Sequence, residues 1–367
     1  VTDALRVTDV IAPIEEAAPP EWADDWDNVG LQLGHPDARA HRAAVALEVT
    51  PGVLQETLDA GADLLITHHP LIFTPLRQLR GDCPAGDRLL QLAGAGVAVY
   101  CAHTNLDRSR LGPSAMLAEE LDLEDVVPLE PVRDLNKLVV YVPRSHLEEV
   151  RLALGDAGAG SIGQYSHCTF NTGGTGTFKP GAGTDPFLGS PGELTEVDES
   201  RLETVLPRHR ISRVLATLYR VHPYEEPAFD LFPMDNRNPQ AGMGRIGNLA
   251  EPVAAAQVIE SVVQLCGAGS LRAAGDLDRR VQRVAVCGGA GEKLGKRAAG
   301  AGAEMFITGD VSHHGAWDML DRGLIVLDAG HAATEQPIVA RLASYLTRSL
   351  GPAVEILEME AMVKPWK

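Results

Sequence analysis

GADLLITHH, residues 61–69, and GAEMFITGD, residues 302–310, are the two lines of this 367-residue sequence that decide its fold. Each opens on a glycine suited to closing a helix, continues as a short apolar strand, and ends in polar residues at the strand's carboxyl end. Outward from them the same order recurs. RAAVALEV (42–49) precedes the first and RVAVCGG (283–289) the second; GVAVYCAHTNLD (96–107) follows the first and GLIVLDAGHAATE (323–335) the second, with one inserted residue. Thr50-Pro51 supplies an N-cap and a proline at the first helical position, and Gly61 closes that helix. Thr8 is read as the cap of an earlier helix that ends at Pro19-Pro20. Strands alternating with helices imply a mostly parallel sheet. The repeat predicts an α/β fold in which two related halves make one composite domain, with a site between them.

The segment between the halves has a different composition. NKLVVYVPRSHLEEVRLALGDAGAG (136–160) reads as strand then helix, and the Gly/Ser/Thr-rich stretch 162–187 suits hairpins. DESRLETVLPRHR (198–210) reads as a second amphipathic helix, and HPYEEPAFDL (222–231) places Glu225 and Glu226 on an edge strand. Strand, helix, hairpin, helix and strand describe a ferredoxin-like α+β module. The expected layout is a first half at 1–130, an inserted module at 131–240 and a second half at 241–367.

Length and composition agree with a folded chain of two or three domains, 45% hydrophobic and 22% charged. A net charge of −18 repels polyphosphate backbones and anionic membranes, so nucleic acid is an unlikely partner, and small substrates and cations suit the chain better. Five scattered cysteines without a C-x-x-C pair predict a reducing, cytoplasmic setting, with Cys101 a buried thiol. The start lacks the pattern of a secretory signal, and the apolar run 92–102 is too short to span a bilayer.

The chemistry gathers where the strands end, as ligands do in open α/β sheets. His68 and His69 are adjacent there; the alternation of a strand would send them in opposed directions, each toward a different metal of a pair. His103 and Asp107, and His331 and Glu335, are each four apart, about one helical turn, so each pair can face one way. Four imidazoles and two carboxylates suit two divalent ions, drawn from zinc, iron, manganese, cobalt or nickel, with Glu335 as the bridging carboxylate. Any one of these histidines alone reads as an ordinary hydrogen-bonded residue; their equivalent positions in a repeat set them apart. The arrangement reads as a hydrolytic centre.

Other features carry less. CGGAGEKLGK (287–296) lacks the phosphate-loop pattern, because Ala290 stands where a glycine is required and Arg297 follows Lys296; it reads as a tight strand-to-helix turn. Asp310, His313 and His314 are candidates to support the ligands or to lie on a helix surface, and Asp27 and Asn28 to brace the ligands or a turn. His222, Glu225 and Glu226 read as a solvated edge or subunit contact rather than an effector site. Trp22 and Trp26 read as core or interface anchors rather than a base-stacking platform.

Asp27-Asn28-Val29-Gly30-Leu31, Ile66-Thr67-His68-His69-Pro70, His103-Thr104-Asn105-Leu106-Asp107, Thr308-Gly309-Asp310 and Gly330-His331 with Glu335 together resemble the NIF3-like proteins, the GTP cyclohydrolase 1 type 2 homologs, across essentially the whole chain. The resemblance implies a dinuclear metal site with His68, His69, Asp107, His331 and Glu335 as ligands and His103 as ligand or proton carrier. It also implies a toroidal homohexamer with an inserted domain similar to the PII and CutA proteins. Two functions follow as expectations: a metal-dependent hydrolase of a small anionic substrate, with His103 and Glu335 catalytic, or a non-catalytic metal-binding or sensing oligomer regulated through the insert.

Overall fold

The computed structural model describes residues 4–267 and 271–359. Arg133–Asn238 forms one compact unit, and the chain before and after it forms another. No described helix is long and apolar enough to cross a membrane.

The larger unit holds two large sheets and a two-stranded antiparallel ribbon, Leu5–Arg6 with Arg39–Ala40. In the first the strand order is Glu355–Glu358, Arg42–Ala46, Leu64–Thr67, Ala98–Cys101 and Gly30–Leu33, all parallel except the last. In the second it is Arg272–Ala274, Ile325–Asp328, Met305–Gly309, Arg280–Ala290, Gly242–Ala254 and Glu124–Pro131, with the 325, 305 and 280 strands parallel and the rest antiparallel. The mixed α/β character and the repeat are thus visible in the three central parallel strands of each sheet.

Those strands read as continuous apolar runs because both faces are covered. Ala43, Val45, Leu64, Ile66, Ala98 and Tyr100 enter one core, while Ala44, Ala46, Leu65 and Val99 enter another on the opposite face. In the second sheet Val284, Val286, Met305, Ile307, Ile325 and Leu327 face one way and Ala285, Phe306 and Val326 the other. Gly61 and Gly302, at matching points of the repeat, both take left-handed backbone (φ +61° and +82°), which lets the preceding helix stop and the chain turn into the strand. Thr50 caps its helix by accepting from the Val53 amide.

The halves exchange elements. The helix Pro113–Glu120 leaves the first half and buries Met116 and Leu117 against the second sheet. The C-terminal helix Ile338–Leu350 returns to the first, where Ile338, Leu342 and Leu346 join the core that contains Val10, Ile14 and Tyr100.

Local readings are corrected in three places. The first helix is Val7–Ala17, so Thr8 lies inside it; the start is held instead by Asp9, which accepts from the Arg6 amide at 3.0 Å. Residues 198–207 are not a helix: Thr195–Pro207 is a strand, with Leu202, Thr204 and Leu206 buried at period two, and only Arg208–Arg210 make a single 3-10 turn. Leu202 and Leu206 are also four apart, which imitates a helical face. Glu225 and Glu226 lie in the loop before the Phe229–Pro233 edge strand rather than on it.

The smaller unit runs strand Leu135–Pro143, helix Leu147–Asp156, strands Thr169–Phe178 and Thr195–Pro207, helix Ile211–Val221 and strand Phe229–Pro233. Its sheet is antiparallel throughout, ordered fourth, first, third, second. Leu138, Val140, Val142, Leu202 and Leu206 pack there against Val150, Leu154, Val214 and Leu218 of the two helices.

Candidate metal centre

His68 and His69 follow the Leu64–Thr67 strand, and their amides still bond to the Ala46 and Leu47 carbonyls at 3.2 and 2.8 Å. Side-chain alternation lapses at this point. The rings therefore sit side by side, centroids 5.2 Å apart, instead of on opposite faces. His103 sits just before the short helix Thr104–Arg108, which carries Asp107, and His331 and Glu335 are the first and last residues of its counterpart, His331–Glu335.

All six side chains converge. Their donor atoms form three overlapping groups, His68 with His69 and His103, His69 with His331 and Glu335, and His68 with Asp107 and Glu335, each within 4.8 Å. Glu335 is the hub, 3.0 Å from His69 Nε2, 3.1 Å from His331 Nε2 and 3.7 Å from His68 Nε2.

The outward nitrogens are already used. His68 Nδ1 lies 2.9 Å from the Ala102 carbonyl, His103 Nδ1 2.9 Å from Asp27 Oδ1, and His331 Nδ1 2.7 Å from Asp310 Oδ2. A ring whose Nδ1–H donates outward presents Nε2 inward as an unprotonated acceptor, the form a metal ligand needs. Thr104 adds two bonds to Asp27, from its amide at 3.0 Å and its hydroxyl at 2.6 Å. Two buried atoms at the centre, His68 Nε2 and Asp107 Oδ1, have no hydrogen-bond partner and stand 3.4 Å apart. A buried polar atom left unpaired is costly. Imidazole nitrogens and carboxylate oxygens together, with unpaired atoms between them, fit a divalent cation.

Without a cation the charges compensate one another. Burial pushes His68 down, but Asp107 and Glu335 outweigh it and raise it to about 9. Glu335, against burial, raises His331 to about 9, with Asp310 assisting. Burial works against the Glu335 carboxylate too, yet its bonds from His331 and His69 and the nearby His68 imidazole hold it well below the usual range, while burial pushes Asp107 up. Asp27, bonded by His103 and Thr104, also lies well below its ordinary value in spite of burial.

The repeat explains why one half supplies the adjacent histidines. His68 and His69 correspond to Gly309 and Asp310. A Cβ on Gly309 would lie 2.6 Å from the His331 amide nitrogen, so no side chain fits there. Asp310 takes left-handed backbone (φ +55°), which Asp tolerates better than most, and bonds His331 from outside.

Other singled-out residues fall as follows. Asn28 bonds the Ile72 carbonyl and braces a turn. His313 and His314 lie exposed at a helix start capped by Ser312, outside the converging groups. Trp26 is 59% exposed and stands 6.1 Å from the His103 ring, at the rim of the cluster rather than in a core. Gly289 of the glycine-rich turn has its place because Glu335 Oε1 would lie 2.1 Å from any Cβ there. Cys101 is fully buried and all five cysteines are free.

Arg245, which the sequence did not single out, is 3% exposed, and its guanidinium donates to the Gly242, Gly244, Arg108 and Ser109 carbonyls. It thereby fastens a strand of the second sheet to the chain immediately after Asp107. Nothing in the sequence signals this, because the acceptors are backbone atoms.

Two related α/β halves jointly bring together a cluster of imidazoles and carboxylates that could hold a metal ion. The chain belongs to the Duf34/NIF3 (NGG1p interacting factor 3) family, whose model matches residues 5–365. It is similar to the GTP cyclohydrolase 1 type 2 homolog of Halalkalibacterium halodurans, 40% identical over 88% of this chain and 87% of the relative. The protein of the same name from Mycobacterium tuberculosis is 38% identical over 99% and 97%. Among solved structures, a Bacillus cereus protein related to NIF3 superposes with a TM-score of 0.85 at 37% identity, covering 99% of both chains.

Proposed function

We propose that this chain is a metal-dependent hydrolase of a small anionic substrate, with His68, His69, His103, Asp107, His331 and Glu335 holding two divalent cations. The observation that carries the reading is the convergence of six donor side chains in three overlapping groups, with His68, His103 and His331 turned inward by outward Nδ1 bonds and Glu335 beside His68, His69 and His331. Bound there, such cations would supply Lewis acidity and acidify water. Glu335, nearest to three imidazoles, would hold the pair together. His103, oriented by Asp27, would hold a cation or carry a proton at Nε2. GTP enters as a candidate substrate through the relatives' name.

The reading extends to the smaller unit. Its βαββαβ order, with the fourth strand beside the first, supports a ferredoxin-like module of the PII and CutA kind, inserted between the halves.

The test is metal analysis of the purified full chain followed by turnover assays on GTP and a panel of phosphoesters and amides. About two equivalents of metal per chain and turnover abolished by chelation are expected. Less than one equivalent, or no turnover on any member, would overturn the reading. Asp27→Asn retains the shape but loses the charge that orients His103. It is expected to weaken metal affinity by about 10- to 100-fold, measured by competition with a chromophoric chelator.

A further inference from the structure

The smaller unit contains a cavity of about 740 Å³ lined by Tyr141, Phe178, Phe187, Tyr224, Glu199, Glu225 and Glu226 among others, with no lysine, arginine or histidine in the lining. Its aromatic side chains cluster: Phe178 and Tyr224 have ring centroids 5.7 Å apart, and Phe187 and Tyr224 6.4 Å. Its floor holds a carboxylate. Glu199 is 8% exposed, accepts one bond from the Tyr224 hydroxyl at 2.8 Å, and has no ion pair among the described residues. The other oxygen, Oε2, lies against Gly176, where a Cβ would come within 2.0 Å, so glycine makes the space the carboxylate occupies. Glu225 accepts from the Asp185 amide at 3.1 Å, tying in the loop that carries Phe187.

A buried negative charge without a counter-charge is costly. Aromatic faces attract cations, and carboxylates beside them add to the attraction. We infer that this cavity is a binding site for an organic ammonium ion, a quaternary or protonated amine whose charged head meets Glu199 among Tyr224, Phe178 and Phe187. The volume is in the range of small-molecule sites, so the ligand has a body as well as a head. The site lies wholly within residues 141–228 and does not depend on the metal reading.

The test is calorimetric titration of the full chain with choline and with its uncharged isostere 3,3-dimethylbutan-1-ol. Saturable binding of choline, with the isostere at least about tenfold weaker, is expected. Glu199→Gln is expected to weaken choline at least about tenfold. Because that residue is buried, Phe187→Ala provides a second test: Phe187 is 45% exposed, so the melting temperature should hold while choline binding drops at least about threefold. No saturable choline binding, equal binding of the isostere, or full binding by Phe187→Ala would each overturn the assignment.

Discussion

Glu335→Gln is expected to lose about two thirds or more of the metal-induced stabilisation while keeping the fold. Glu335 is 3% exposed and stands within 3.7 Å of three imidazoles, so no other side chain can take over its position. Loss of an outer partner alone weakens metal sites by about 10- to 100-fold, and loss of the shared ligand should cost at least about 100-fold. A site saturated at about 1,000 times its dissociation constant stabilises the fold by about 4.1 kcal/mol; a site 100-fold weaker retains about 1.4 kcal/mol under the same conditions. Thermal melts with and without added metal measure the difference directly. The amide preserves volume, so circular dichroism of the metal-free variant should match that of the parent. A variant that keeps the full metal-dependent shift would remove Glu335 from the ligand set.

Arg245→Met is expected to destabilise the larger unit by about 3 kcal/mol. The substitution removes a donor from four carbonyls, those of Gly242, Gly244, Arg108 and Ser109, at about 1 kcal/mol for each, although Ser109 keeps a 3.4 Å bond from the Gly112 amide. Part of this is offset. Burial already disfavours the guanidinium, lowering it to about 10, and that desolvation cost disappears with the charge. Arg245→Lys should rescue little, since an ammonium lacks the planar fork that reaches several acceptors at once. The midpoint of urea unfolding at constant slope gives the value. A change below about 0.5 kcal/mol would mean the carbonyls find other donors.

The central strands were legible in the sequence because each is a short apolar run bounded by glycine or polar residues, and because the run occurs twice. The grouping of His68 and His69 with His103 and Asp107 was legible because in a parallel sheet neighbouring strand ends lie at one edge, and the repeat pointed to His331 and Glu335 at the equivalent edge of the second sheet. The side-chain directions of His68 and His69 were not, since the period-two rule stops where the strand stops, at Thr67. Residues 198–210 misled because Leu202 and Leu206 satisfy both periods, and only pairing with Leu135–Pro143 and Thr169–Phe178 decides between them. The cavity around Glu199 was hidden because its walls come from segments far apart in the chain, whereas Glu225 and Glu226 alone looked like a solvated edge.

The exchange of elements between halves also bears on synthesis. Arg42 bonds Glu355 at 2.8 Å across a sequence separation of 313 residues, and the strand containing Glu355 pairs with Arg42–Ala46. During translation that inner strand therefore waits with one edge open until residues 355–358 have left the ribosome. Open edges recruit foreign strands. The nascent chain must be shielded through that interval, and any stop codon upstream of Glu355 would make the vulnerability permanent.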